Sequence, residues 1–184
     1  TEAGWQLFAT TAEAIHAVTV SDGIWRNDLP ASEPSVEIVA STGSAGESVL
    51  PTLPRLDEAT WKTARIQAGR VDISVANSAL YTPHMLNLDL IGAISFRKGC
   101  YTGQEIVART ENLGRSKRRT FRYKCEAKDM VIGETLHDGA AEAGVIVNVS
   151  GSDLLAVVPV AKAGSPLQIR GIEASPQPLP YKVT

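Results

Sequence analysis

The stretch Arg118-Arg119-Thr120-Phe121-Arg122-Tyr123-Lys124-Cys125 alternates with period two. Successive side chains of an extended chain point to opposite faces. Phe121, Tyr123 and Cys125 therefore share one face, and Thr120, Arg122 and Lys124 share the other. An apolar face opposite a charged one predicts a half-buried strand whose aromatics enter a core. Short apolar runs continue downstream. Candidate strands are Lys117–Glu126, Gly144–Val149, Leu154–Val160 and Leu167–Arg170, with Ser150-Gly151-Ser152-Asp153 as a hairpin turn. The ending Pro176-Gln177-Pro178-Leu179-Pro180-Tyr181 reads as extended. Short strands with glycine-containing turns imply a small antiparallel barrel over residues 115–184. There is no internal repeat.

Upstream the pattern is mixed. Residues 57–68 predict a helix, with Asp57 as N-cap, Glu58 at the positive end and Gly69 at C′. Trp61, Ala64 and Ala68 fall on one side of it, away from Lys62 and Gln67. A second helix is expected from about Gly103 to Asn112. Its Thr102 and Glu105 stand at capping-box spacing, and Gly114 follows. Residues 5–10 suit a strand, residues 11–19 a short helix, and Val36, Ile38 and Val39 a second strand. Thr42–Gly46 and Leu50–Pro54 are loop chemistry, and residues 70–96 mix extended segments with turns. The expected class is α+β: an α/β region over residues 1–114, then the barrel.

Composition bounds the function. The chain has 184 residues, 43% hydrophobic and 21% charged, with net charge −2, the profile of an ordinary globular protein. No apolar run reaches the ~18–20 residues of a membrane helix. No basic n-region or apolar h-region is visible at the start; the low cysteine count sets the expected compartment as the cytoplasm. Two cysteines, Cys100 and Cys125, are too few for a disulfide framework or a four-cysteine zinc site. One bridge is compatible with the count, but a reduced protein is the expectation. His16, His84 and His137 lack metal-ligand spacing, so no metal site is assigned.

Charge is segregated. Residues 1–60 hold two basic side chains against nine acidic ones, a net of −7; residues 97–124 hold nine basic against two acidic, a net of +7. Such a block attracts anions. It is either a solvated face or a contact for phosphate, polyglutamate or RNA, and a weak RNA contact through residues 97–124 stays open.

The block begins with Ser95-Phe96-Arg97-Lys98-Gly99-Cys100-Tyr101-Thr102-Gly103-Gln104-Glu105-Ile106-Val107-Ala108-Arg109. Glycines punctuate a loop that feeds a helix N-terminus, where free N–H groups and the helix dipole favour anions. Gly99 and Gly103 allow close backbone approach. Lys98 and the helix start both lower the expected thiol pKa of Cys100.

This stretch, Lys98-Gly99-Cys100-Tyr101-Thr102-Gly103-Gln104-Glu105 followed by Ile106-Val107-Ala108-Arg109, resembles the signature of the YgfZ family. Those folate-binding proteins are related to the T protein, the aminomethyltransferase of the glycine cleavage system. The resemblance extends through Trp61–Gly69, Ala76-Asn77-Ser78 and Asn87-Leu88, and onward through Gly114 and Lys117-Arg118. Pro178-Leu179-Pro180-Tyr181 also looks like the family's ending. Residues 57–125 are covered well, the barrel loosely and residues 1–56 hardly at all.

The resemblance implies a T-protein fold, a tetrahydrofolate or one-carbon derivative as cofactor, and a role in iron–sulfur protein maintenance and tRNA modification. An iron–sulfur tRNA-modifying enzyme is the implied protein partner. Trp61 stands where the family has a tryptophan implicated in folate binding, and an indole suits a flat pterin. Gln67 departs from the family's usual Glu, so pterin pairing there is weakened or rearranged. Arg65 either meets the carboxylate tail of folate or is solvated. The motif residues Lys98, Tyr101, Gly103, Gln104, Glu105 and Arg109 are the further folate contacts implied. Tyr101 is expected to line a cavity with Trp61, and Glu105 to turn into its capping box. Cys100 is the implied catalytic or redox residue, although one cysteine cannot hold a cluster alone. Cys125, on the inward face, is read as structural.

The family's N-terminal portion carries an Asp that meets folate, and residues 1–56 hold no convincing counterpart. With no initiating Met, the expectation is a fragment or processed product that lacks part of the folate pocket. Competing readings are a tetrahydrofolate-dependent aminomethyltransferase and a plain RNA-binding module.

Overall fold

In the computed structural model, which describes residues 5–11, 24–29, 35–41, 56–96, 99, 104–113 and 116–183, the chain divides into two compact units, Thr1–Ala68 and Gly69–Thr184. The first holds an antiparallel sheet of β1 (Trp5–Thr11), β2 (Ile24–Leu29) and β3 (Ser35–Ser41), in the order β1-β3-β2. The expected strands at 5–10 and around Val36–Val39 are present. β2 was not anticipated, because the alternation Ile24-Trp25-Arg26-Asn27-Asp28-Leu29 is broken by three polar residues in a row. The helix expected over 11–19 lies outside the described residues, apart from the strand position Thr11, and so do the loops at 42–46 and 50–54.

Helix α1 (Glu58–Gln67) forms where capping chemistry predicts it. The Asp57 carboxylate accepts from the Thr60 N–H at 2.9 Å and from its hydroxyl at 2.6 Å. These bonds hold the Asp57 carboxyl below its ordinary pKa, the Thr60 side chain contributing most. Ala64 and Ile66 are buried, while Trp61 is half-buried. Gly69 follows at φ +68°, the left-handed conformation that ends helices.

The second unit holds helix α2 (Gln104–Leu113) and six strands: β4 (Arg118–Cys125), β5 (Thr135–Asp138), β6 (Ala141–Ser150), β7 (Asp153–Pro159), β8 (Leu167–Ile169) and β9 (Ile172–Gln177). They close into an antiparallel barrel in the order β4-β7-β6-β5-β8-β9, with β9 back on β4. Closure removes the exposed edges that would invite aggregation. Its core includes Tyr123, Cys125, Leu136, Ile146, Leu154, Ala156, Val158, Leu167 and Ile169. The only helical element among residues 117–170 is the three-residue 3-10 turn Val160–Lys162, so the antiparallel barrel expected from the strand periodicity is what forms. Residues Gly151 and Ser152 connect β6 to β7, whose ladder ends at Ser150 opposite Asp153.

The unit boundary at Ala68/Gly69 lies ahead of the change of periodicity near residue 115. The reason is hydrogen bonding. Asp72 N–H donates to Asn148 Oδ1 at 3.0 Å, and Asn77 Nδ2 donates to the Val147 carbonyl at 2.9 Å. The β6–β7 register shifts between Ile146 and Asn148. A bulge diverts a carbonyl from the ladder, and here Asn77 takes it. Residues 72–77 are thereby tied to the barrel wall.

Candidate functional site

The site begins with the turn-rich segment over residues 82–93. Leu88 N–H donates to Pro83 O at 3.0 Å, Leu90 and Ile91 N–H donate to Asn87 O, and Ala93 N–H donates to Leu88 O at 2.9 Å. Asn87 sits at the centre of these turns at φ +57° with no exposed surface. Asparagine tolerates this conformation better than most residues.

Strand β4 grips this segment through Arg119 and Thr120 near its start. Arg119 Nη1 donates to His84 O at 2.9 Å and to Asp89 Oδ1 at 2.7 Å. Thr120 Oγ1 donates to Met85 O at 2.8 Å, and its carbonyl accepts from Asn87 Nδ2 at 2.7 Å. Asn87 Nδ2 also donates to Tyr181 Oη at 3.3 Å, and the Tyr181 hydroxyl donates to Gly69 O at 2.7 Å. Burial raises the Tyr181 phenol above its ordinary value, against the lowering effect of the Asn87 bond. The phenol therefore stays protonated and available as a donor. The C-terminal end of the described chain, β4 and the 82–93 turns share one polar cluster.

The cluster revises the sequence picture of β4. Tyr123 and Cys125 are buried as expected, and Phe121 packs partly against the core. Arg119 and Thr120 are buried as well, because the 82–93 segment covers them. Arg122 pairs with Asp153 at 2.5 Å, and Arg118 reaches Val157 O at 3.4 Å. Arg118, Arg119 and Arg122 of the basic block are thus spent on internal partners. Lys117, Lys124 and Arg109 are exposed, and an RNA contact would draw on them.

Past the turns, the Phe96 ring lies 6.2 Å from the His84 ring. Helix α2 then carries Gln104, half-buried, and Glu105 and Arg109, both exposed and one turn apart. Val107 is the buried position of its first two turns. Lys98, Cys100, Tyr101 and Gly103 lie outside the described residues, as does Thr102. The capping box of Thr102 with Glu105 and the shared cavity of Trp61 with Tyr101 therefore fall there too.

In the first unit, the Arg65 guanidinium lies over the Trp61 ring at 5.6 Å from its centroid, a cation–π distance. The two residues are four apart, so both lie on one side of α1. At 100° per residue, Gln67 stands about 200° around the axis from Arg65. The helix thus brings Trp61 and Arg65 together and separates Gln67 from them.

Sequence reasoning missed Asn87, Arg119 and Tyr181 as a unit. The signal was present in part: an asparagine in a turn-rich stretch, and a tyrosine closing an extended proline-rich tail. Among the described residues, no three His, Cys, Asp or Glu side chains gather as metal ligands. No helix among them is long and apolar enough to cross a membrane.

No protein-family model matches the chain. The tRNA-modifying protein YgfZ of Colwellia psychrerythraea is 38% identical over 100 residues, covering 52% of this chain and 31% of that protein. YgfZ of Vibrio atlanticus is 38% identical over 102 residues, covering 55% and 28%. YgfZ of Pectobacterium carotovorum reaches 48% over 65 residues, covering 35% and 20%. The matched stretch spans about a third or less of the length of these curated relatives. Among solved structures, the glycine cleavage system aminomethyltransferase T of Bartonella henselae superposes with a TM-score of 0.56 at 19% identity, covering 87% of this chain and 50% of that one. Over the matched stretch the chain is similar to YgfZ, and its fold is that of the glycine cleavage T protein.

Proposed function

We propose that this protein is a folate-binding accessory factor of the YgfZ kind that supports iron–sulfur enzyme function and tRNA modification in the cytoplasm. The observation that carries the reading is the Lys98–Glu105 motif in a chain similar to the tRNA-modifying protein YgfZ. Cys100 is the working thiol. Trp61 and Arg65 are the residues that fit a folate: an indole face for the pterin and a guanidinium for the carboxylate tail. The guanidinium already covers that face, so a stacked pterin must displace it. Gln67, across the helix, contributes only if the ligand wraps around α1. Tetrahydrofolate, when bound, supplies a carrier for one-carbon units. Lys98, Tyr101, Gly103, Gln104, Glu105 and Arg109 complete the proposed contacts.

The test is complementation of a bacterium lacking its YgfZ, scored by thiomethylated tRNA, in parallel with titration of 5-formyltetrahydrofolate. The wild-type chain should restore the modification, and Cys100→Ala should not. Trp61→Ala should weaken folate binding by roughly tenfold, the scale of one lost aromatic stacking contact. A wild-type chain that neither binds the folate nor complements removes this reading. The fold shared with aminomethyltransferase T favours a second one, aminomethyl transfer to tetrahydrofolate. Turnover with a lipoylated carrier protein would put it in place of the accessory role.

A further inference from the structure

We infer that the outer edge of β1 is an association surface, on which the β1 strand of a second copy of this chain pairs antiparallel.

β1 lies at one end of the sheet order β1-β3-β2 and, among the described residues, is hydrogen-bonded to β3 alone. Its other edge presents a row of backbone N–H and C=O groups, a template for one more strand. A strand following α1 could have covered that row. Residues 72–77, which follow α1, are tied instead to the barrel wall through Asn148 and Val147.

Edge strands are normally protected by charge, proline, a bulge or short length. β2, at the opposite end of the sheet, carries Arg26 and Asp28 and is followed by Pro30. β1 has none of these devices. Its seven residues, Trp5-Gln6-Leu7-Phe8-Ala9-Thr10-Thr11, include no charge, no proline and no glycine. Its register with β3 runs from Trp5 to Thr11 without a shift. A regular, uncharged edge containing Trp, Phe and Thr is the profile that invites strand pairing.

Charge decides the occupant. A charged strand would meet no counter-charge on β1. An uncharged strand fits, and β1 itself is one. Antiparallel pairing centred on Phe8 sets Trp5 opposite Thr11, Gln6 opposite Thr10 and Leu7 opposite Ala9 of the second copy. Odd positions meet odd ones and even meet even, so the two-residue alternation of the sheet is kept. The contact is isologous, the two-fold arrangement commonest among oligomers. It joins two three-stranded sheets into one of six strands, within the usual size of a sheet.

The experiment follows the full chain by sedimentation velocity from micromolar to submillimolar concentration. Wild type should pass from monomer to dimer as concentration rises. Gln6→Lys/Thr10→Lys sets lysine opposite lysine at two places in this register, and should weaken the dimer by about tenfold. Gln6→Glu/Thr10→Lys sets opposite charges there and should restore the wild-type dissociation constant. Amide exchange of the wild type needs no variant, and decides the matter if a variant fails to fold. The β1 amides should gain protection with concentration while the barrel amides do not. A chain that stays monomeric at every concentration overturns the proposal. So does a dimer that the lysine pair leaves unchanged, or one whose β1 amides ignore concentration. Loss of the dimer without recovery in Gln6→Glu/Thr10→Lys overturns the antiparallel register. A monomer whose β1 amides are protected at every residue means that this chain's own backbone fills the edge, and overturns the proposal as well.

Discussion

Removing Asp89 tests how the 82–93 segment is held. The Arg119 and Asp89 side chains are 6% and 9% exposed, with Nη1 and Oδ1 2.7 Å apart. Deleting one partner of a buried ion pair strands the other charge in a poorly hydrated place, at a cost of about 3–5 kcal/mol. Asp89→Ala leaves the Arg119 cation with only the His84 carbonyl. Arg119→Met strands the Asp89 carboxylate and also deprives that carbonyl of its donor. Each single variant should lose about 3–5 kcal/mol in urea unfolding, or roughly 10–20 °C in Tm for a unit of this size. The double variant Asp89→Ala/Arg119→Met leaves no stranded charge. Its loss should fall short of the sum by about 2–3 kcal/mol, which is the coupling a double-mutant cycle reads. Additive losses, or a single loss below about 1 kcal/mol, would mean that the pair behaves like a solvated surface bridge. In that case β4 would not anchor the segment through this ion pair.

Tyr123 is fully buried and its hydroxyl has no partner among the described residues. Tyr123→Phe should therefore raise stability by about 1 kcal/mol, and a loss on denaturant unfolding would reveal a partner for the hydroxyl. Burial pushes the same phenol up to about 12 from 10.0. The unfolded chain releases this proton first, so stability should fall as pH rises from about 10 toward 12. Tyr123→Phe should flatten that decline, and identical alkaline profiles would contradict it. A Cβ at Gly144 would collide with Val158 Cγ1 and meet Val157 O at 3.0 Å. Gly144→Ala should cost about 1–3 kcal/mol, and an unchanged Tm would show that the β6–β7 pair yields easily. The Asp57 carboxyl is held below its ordinary 3.8, so its support of α1 is present above that pH and fades as pH falls through the lowered value. Asp57→Ala should reduce helix content at pH 7 and much less at pH 2; an equal difference at both would place the cap's effect elsewhere.

Local chemistry made much of this fold legible. The Asp57 cap and Gly69 delimit α1 because both act within a few residues along the chain. The alternation over residues 118–125 gives β4, and Gly151-Ser152 the tight turn between β6 and β7. β5 and β9 escaped notice because four-residue Thr135–Asp138 and proline-containing Ile172–Gln177 carry little apolar alternation. Pairing across the barrel makes them strands. Trp61 was legible as part of one helix face with Ala64 and Ala68, while the contact of Arg65 with its ring came from the structure.

The polar cluster was decided by tertiary structure. Asn87 and Tyr181 are separated by 94 positions, and neither residue's own chemistry names the other as its partner. Composition read Arg119 and Arg122 as part of a charged face. Folding brought Asp89 and Asp153 against them, and buried Arg119. Sequence alone determined the barrel's alternation, the cap of α1 and the motif around Cys100, because each depends on neighbours a few residues apart. Which charges stay free to meet a ligand, and which are consumed within the protein, depends on long-range closure, and only the three-dimensional arrangement decided it.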